Sequence, residues 1–444
     1  MTWSEASGLA RLYARTPRGA RTDDLEPMLA ACRTEGNPQD AFDVVHVAGT
    51  NGKGSVTATV GSILRAAGVA VGIYTSPHLE RFHDRIRING STIDDDAANR
   101  WLTYVLDHHA DLTFFEVTTL VSFLAFREAG VRVAVLETGL GGRLDATNVV
   151  RRTRVAAITT IGLDHTEILG DTVTAIAREK AGILRADIPV VTGRLDAEAD
   201  AVVLASTAAI GAKSPWRLGH EVSHARRGDR LTVALPDGTS FDVAPRLRGA
   251  HQDDNAAVAV AAVWRLRREC DSAAMTGVAI DNDSIARGMS AVEWPGRLET
   301  IEVREGPFGG RYLLDGAHNE DGVRAMAAAI RTMPEFVSPV LVFGAMADKS
   351  WPAMIHLLAP MFRCRVYVAP RVRSHGRAVV PPAELRTVDA QGLCASTVSE
   401  AIRVARGVAG VEGVVVVAGS LYLVGEVRAL LLGHQEYCHA HVGL

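Results

Sequence analysis

Short apolar runs rich in β-branched residues recur along the first half of this chain, separated by stretches of helical periodicity. They are VVHVA at 44–48, VAVGIYT at 69–75, VRVAVLE at 131–137, RVAAITTI at 154–161 and IPVVTG at 188–193. Runs apolar on both faces, joined by helices, require a mainly parallel sheet covered on both sides, because parallel neighbours need a crossover connection. A second alternation follows Trp294, Pro295 and Gly296, with RYLLDG at 311–316, PVLVFG at 339–344, RVYVAP at 365–370 and GVVVVAG at 413–419. It predicts a smaller Rossmann-like α/β domain. A chain of 444 residues is too long for one ordinary core, so a boundary is expected near residue 296, giving domains 1–295 and 296–444. Residues 214–247 break the rhythm, with LTVAL and FDVAP flanking Pro236, Asp237, Gly238 and Thr239. This segment is expected to be a small hairpin, a β-rich insertion on the first domain. The Ala-rich stretch 255–264 reads as a packed helix.

Bulk properties remove several classes of function. Hydrophobic residues at 48% and charged residues at 22% suit a globular protein that folds without a partner. A formal net charge of -4 gives no general attraction to nucleic acid or an anionic membrane, so any phosphate site must be local. The five cysteines, Cys32, Cys270, Cys364, Cys394 and Cys438, are odd in number and scattered, which argues against a disulfide framework and for a reducing cytoplasm. The N-terminal stretch lacks the uninterrupted apolar core of a signal peptide, and no run reaches membrane-spanning length. A monomer with small-molecule substrates is expected.

The run VVHVA leads into Gly49, Thr50, Asn51, Gly52, Lys53, Gly54 and Ser55, then into a helix with Val56, Val60, Ile63 and Leu64 on one face. Glycines let backbone N–H groups turn toward an anion, the helix start adds positive potential, and Lys53 can reach terminal phosphates. The residues together form a P-loop-like site for a nucleoside triphosphate. The spacing departs from the usual P-loop: the spacer is shorter and Gly54 stands between Lys53 and Ser55.

The stretch HVAGTNGKGS, starting at His46, resembles the folylpolyglutamate synthase and dihydrofolate synthase family, relatives of the Mur peptidoglycan ligases. Five further segments carry the same resemblance in order: TSPH at 75–78, GLGGRLDATN at 139–148, LDHTEILGDT with IAREKAGI within 163–183, DGAHN at 315–319 and GSLYLVGE at 419–426. The first 40 residues match poorly. The resemblance implies an ATP-dependent ligase that adds glutamate to dihydropteroate, to reduced folates, or to both. It also implies an acyl phosphate intermediate, since a carboxylate does not react directly with an amine at neutral pH.

Phosphoryl transfer of this kind uses Mg2+, and hard cations prefer oxygen ligands with an occasional imidazole. Ser76, Glu137 and His165 lie at or just beyond the ends of predicted strands, where open parallel sheets place their sites, and the resemblance makes them metal ligands. Their ordinary roles compete: a turn residue, a helix cap and a core histidine. Lys180 shares an apolar helical face with Val173, Ile176, Ala177, Ala181 and Leu184. By resemblance it is a carbamylated lysine that helps to hold a second Mg2+; the alternative is a snorkelling lysine paired with Glu179 or Glu167. The catalytic set is thus Lys53, Lys180, His165 and Glu137.

The resemblance places Leu144, Asp145 and Ala146, with Thr113, Phe114, Phe115 and Glu116, in the pterin pocket. There Phe114 and Phe115 would stack on the ring, although aromatics in a strand-like run are as readily plain core. It places Asn255 of GAHQDDNAAVA near the adenine, and Arg297 and Asp315 of the second domain on ATP; a helix cap at Asp253 or Asp254 is the simpler role for that segment. His318 and Ser420 are candidates for recognising glutamate. One departure concerns the acceptor pocket: where the family commonly has a Gly-Leu pair, this chain has Arg21, Thr22, Asp23, Asp24 and Leu25. His434, Cys438, His439 and His441 look like a metal cluster but are expected to form a solvated tail. Two other readings of the core remain: a Mur-type ligase for a non-folate acid, and an ATP-hydrolysing switch.

Overall fold

The structure is a computed structural model that describes residues 7–14, 24–269, 280–336, 338–371 and 378–434. Arg21, Thr22, Asp23, Cys270, Cys438, His439 and His441 lie outside the described residues. The first sheet comprises β1 (Asp43–Ala48), β2 (Val71–Tyr74), β3 (Ile86–Ile88), β4 (Ser91–Thr92), β5 (Val133–Glu137), β6 (Thr153–Ile158), β7 (Val190–Thr192) and β8 (Trp216–Arg217). Their order is β4-β3-β2-β5-β1-β6-β7-β8. From β2 to β8 every pairing is parallel, and β3 and β4 add an antiparallel edge.

Side chains that alternate along a strand feed two separate cores. Val45 and Val47 of β1 join Val60 and Ile63 of the helix Lys53–Ala66 and Val260 of the helix Ala250–Glu269. Val44 of β1 and Leu136 of β5 pack against Leu120 and Phe123 of the helix Phe114–Glu128 on the opposite face. All six residues of β1 are buried, as a central parallel strand requires.

The insertion differs from the expected hairpin. It is a three-stranded antiparallel sheet, β9 (Ser223–Arg227), β10 (Arg230–Ala234) and β11 (Ser240–Val243), in the order β11-β10-β9. The third strand, SHARR, is largely exposed, so it carries no apolar alternation to betray it.

The second domain is a smaller α/β unit built on β12 (Glu299–Val303), β13 (Gly310–Leu314), β14 (Val340–Phe343), β15 (Cys364–Tyr367), β16 (Leu393–Cys394) and β17 (Val414–Ala418). The order is β12-β13-β17-β14-β15-β16, parallel except for the β12–β13 pair. Gly296 (φ 73°) and Leu298 (φ 47°) turn the chain into it with left-handed backbone. Among the described residues no helix is long and apolar enough to cross a membrane.

Candidate active site

The C-terminal ends of β1, β2, β5 and β6 open onto a cavity of about 1030 Å³ that the second domain closes from the other side. Every residue singled out above for ATP, metal, pterin or glutamate lines this one cavity.

At its centre the glycine loop is laced to the segment after β6. Thr50 N donates to Thr160 O (2.7 Å), Asn51 N to Thr160 Oγ1 (3.0 Å), and Thr159 Oγ1 to Asn51 O (2.6 Å). Gly52, at φ 87°, caps the helix that begins at Lys53, and a Cβ there would sit 2.3 Å from Asn255 Oδ1. The unusual Gly54 has its own reason: a Cβ would lie 2.5 Å from Trp294 Cζ2, so only glycine lets the Trp294 ring approach. Asn255 itself is held by Gln252 at 3.0 Å.

Two lysines converge on one carbonyl. Lys53 Nζ donates to Gly49 O (3.1 Å) and Thr50 O (3.2 Å), and Lys180 Nζ donates to the same Gly49 O at 2.8 Å. Lys180 is 4% exposed, and burial, followed by the charge of Lys53, lowers its pKa to about 7. The expected burial of this lysine is therefore found, on the helix Val173–Ala181; Leu184 lies beyond that helix. Among the described residues neither acidic candidate forms an ion pair with it, and Glu179 binds Arg143 instead.

Glu137 ends β5 with its carboxylate 5% exposed, accepting a bond from Ser76 N at 3.2 Å. Burial pushes its pKa up to about 7 against the opposing pull of Lys53. His165 is farther from its strand than expected: it follows β6 by a loop whose threonines secure the glycine loop, and it adopts φ 52° before the short helix Thr166–Leu169. Among the described residues no three His, Cys, Asp or Glu side chains converge into a preformed metal cage.

The residues expected to line the pterin pocket depart most from expectation. Thr113–Glu116 is not part of a strand but the start of the helix Phe114–Glu128, with Thr113 and Glu116 forming a capping box: Glu116 N donates to Thr113 Oγ1 (3.3 Å) and Thr113 N to Glu116 Oε2 (2.7 Å). Asp145, with Leu144 and Ala146 beside it, is first a staple for its own loop. It accepts bonds from Gly139 N (2.8 Å), Leu140 N (2.9 Å), Thr147 N (3.0 Å) and Thr147 Oγ1 (2.5 Å).

From the second domain, Asp315 receives Leu298 N and Ala317 N, both at 2.9 Å, and so anchors the turn that carries Arg297. His318 Nδ1 bonds Gly316 O at 2.8 Å, and burial, reinforced by Lys349, lowers its pKa to about 4. The ring is neutral with Nε2 as an acceptor. Ser420 caps the helix Leu421–Leu432 by accepting from Tyr422 N at 3.2 Å. His434, expected in a free tail, bonds Glu80 at 2.6 Å, and Glu80 also pairs with Arg428. Asp253 and Asp254 do not cap a helix; they pair with Arg226, and with His224 and Arg194.

Residues 47–263 match the Mur ligase middle domain and residues 296–421 the Mur ligase, glutamate ligase domain. The folylpolyglutamate synthase of Lacticaseibacillus casei is 36% identical over 435 residues, covering 94% of this chain and 96% of that protein. This chain belongs to the folylpolyglutamate synthase and dihydrofolate synthase family. The dihydrofolate synthase/folylpolyglutamate synthase of Bacillus subtilis is 32% identical over 419 residues, 89% of this chain and 92% of that one. Among solved structures, Escherichia coli FolC in complex with DHPP and ADP superposes with a TM-score of 0.84 at 29% identity, covering 98% of this chain and 100% of that one. The chain is accordingly an ATP-dependent ligase of the Mur type.

This synthase-family cleft also contains residues that sequence reasoning missed. Lys349 of the second domain pairs with Asp164 of the first at 2.7 Å, with side chains 6% and 13% exposed. Asn319 is another: it exchanges amide bonds across the same seam with Asn51, already singled out in the glycine loop, at 3.3 and 3.0 Å. Asp164 precedes a highlighted histidine, which was the available signal; Lys349 lies in none of the family-like segments.

Proposed function

We propose that this ligase adds L-glutamate to dihydropteroate and to the glutamyl carboxylate of reduced folates through an acyl phosphate. The observation that carries the reading is a single cavity joining the glycine loop, the buried Glu137, the face of Phe114 and Phe115 and the second-domain His318 and Ser420. The related FolC structure holds DHPP and ADP together, and this arrangement offers the corresponding sides for an acceptor and a nucleotide.

The chemistry follows from the residues. Loop N–H groups and Lys53 hold the triphosphate, and Lys53 stabilises charge on the phosphoryl group as an acceptor oxygen displaces ADP. Asn255, Arg297 and Asp315 complete the nucleotide side. The α-amine of glutamate then attacks the acyl carbon and phosphate leaves. His318, neutral with Nε2 free, accepts a hydrogen bond from the incoming amine, and Ser420 lies beside it on the same domain. Contacts such as Lys349–Asp164 hold the domains closed, which keeps water from the acyl phosphate.

Magnesium suits the residues present. Glu137 is a buried carboxylate without an ion-pair partner among the described residues, and burial has raised its pKa to about 7; a divalent cation resolves both conditions. Ser76, Glu137 and His165 would hold it, with substrate phosphate oxygens completing the set, and it would neutralise phosphate charge. Lys180 fits carbamylation: a buried amine lowered to about 7 is substantially neutral, and an anionic carbamate would relieve its repulsion with Lys53. A second ion would then share Lys180.

The domain division is proposed at residue 296, where the turn at Gly296 and Leu298 separates the two sheets. A cytoplasmic monomer is proposed as well; the unpaired Cys32, Cys364 and Cys394 suit a reducing compartment. The test is phosphate release with ATP, Mg2+ and L-glutamate, comparing dihydropteroate, tetrahydrofolate and no acceptor, with mass spectrometry of the products. A pteroate-dependent release with a product one glutamyl unit heavier is the expected result. Acceptor-independent release, or none with any folate, would overturn the reading.

A further inference from the structure

The first domain buries a guanidinium that has no ion-pair partner among the described residues. Arg85 ends the turn Phe82–Arg85 ahead of β3, is 5% exposed, and lines the cavity near Ser76, Glu137 and Phe114. Its Nε donates to His78 Nδ1 at 3.0 Å, and its guanidinium carbon sits 5.3 Å from the centroid of the Phe114 ring. Because His78 Nδ1 accepts, the imidazole proton is on Nε2, which faces the Tyr13 hydroxyl at 3.3 Å. The Tyr13–His78–Arg85 chain therefore fixes the guanidinium from behind.

Among the described residues no carboxylate lies within ion-pair distance of Arg85, and its Nη groups have no protein acceptor. Three neighbouring polar residues are satisfied internally: Asp145 by its loop, Thr113 and Glu116 by each other. Burying a charge is costly unless it is paired, and a guanidinium presents a planar fork that matches a carboxylate. Here that fork lies next to an aromatic face and on the same cavity as the glycine loop.

We propose that Arg85 binds the carboxylate of the acceptor acid, seating it between the Phe114 ring and the Ser76–Glu137 end of the cavity. The inference deepens the function proposed above and rests on it, because both acceptors in that reading join a flat heteroaromatic head to a carboxylate. Arg85 moves no proton, since a guanidinium stays charged throughout; it binds and orients the oxygen that is phosphorylated or its neighbour on the same acid. His78 and Tyr13 are positioning residues for it. A lysine here would keep the charge but lose both the fork and the link to His78.

The experiment compares wild type, Arg85→Gln and Arg85→Lys. It reads KM for dihydropteroate, KM for ATP, affinity for a methyl dihydropterin that lacks the carboxylate, and ADP affinity as a check on folding. Arg85→Gln is expected to raise KM for dihydropteroate about 30- to 100-fold, and Arg85→Lys about tenfold. Affinity for the carboxylate-free pterin and KM for ATP should stay within about twofold. Equal losses for pterin and dihydropteroate would reduce Arg85 to a structural role and overturn the proposal, as would unchanged KM for dihydropteroate in both variants. If Arg85→Gln no longer binds ADP, Arg85→Lys decides on the same criteria. A wild type inactive with every pteroate and folate would sink the acceptor reading itself; an active wild type with non-selective variants would sink Arg85 alone.

Discussion

The two ends of the cavity are built differently. On the proposed nucleotide side, residues 49–55 and Lys180 line the cavity, and the loop is tied by backbone and threonine bonds to the segment after β6. On the acceptor side, residues 113–116 and 139–147 are held by side-chain caps that consume the polar atoms of Thr113, Glu116 and Asp145. The first side carries Lys53 and Lys180. The second is mostly apolar and self-satisfied, so selectivity there rests on shape, on ring stacking and on the few groups left unpaired. Mutations should therefore separate into those that harm every acceptor equally and those that discriminate.

The largest effect is expected on the nucleotide side. Lys53→Met removes the charge proposed to face the transferring phosphoryl group and should lower kcat roughly 1,000-fold, by the same factor with dihydropteroate and with a reduced folate. Rates for both acceptors, measured by phosphate release, check this; a loss confined to one acceptor would erase the distinction between the two ends.

Lys180 tests the same side with a different signature. Lys180→Ala should lower kcat roughly 100-fold, and a short carboxylate such as formate should restore part of the rate by standing in for a carbamate. Native mass spectrometry of the wild type should show one added CO2. Full activity in carefully CO2-depleted buffer, with no rescue of the alanine variant, would make Lys180 a hydrogen-bond donor to Gly49 and nothing more.

On the acceptor side Asp145→Asn should act selectively. The amide replaces one carboxylate oxygen by an NH2 group facing backbone N–H donors, at a stability cost of about 2 kcal/mol, and should raise KM for the pteroate while KM for ATP holds. Urea denaturation and paired KM measurements report the two effects. An equal rise in both KM values would mean that the 139–147 loop also supports the nucleotide.

How much of this was readable in the sequence follows the same division. The central strands of both sheets could be read because buried β-branched runs such as VVHVA and VVVVA have little alternative, and all residues of β1 and β17 are indeed buried; the short or edge strands β3, β4, β8, β12 and β16 were not read. The glycine loop was readable because its chemistry depends on residue type. LTFFEV misled, since adjacent apolar residues resemble a strand; the spacing of Thr113 and Glu116 was the signal that a helix begins there. β9 was invisible because an exposed antiparallel strand needs no apolar pattern. Lys349–Asp164 and the unpaired Arg85 were beyond reach for another reason: the first joins residues 185 positions apart, and the second is defined by the absence of a counter-charge, which only packing reveals.

The smallest effect sharpens the comparison most. Thr113 lines the cavity and also caps the helix Phe114–Glu128, and its hydroxyl already accepts the Glu116 N–H. If the cap is its main work, Thr113→Ala should lower stability by about 1 kcal/mol, visible as a shift in the urea midpoint at unchanged slope. KM for dihydropteroate should move less than twofold or so, and Thr113→Ser should restore the stability because serine caps as well as threonine. A large rise in KM at unchanged stability would instead mean that the hydroxyl reaches the acceptor, and the acceptor side would then use directional polar contacts much as the nucleotide side does.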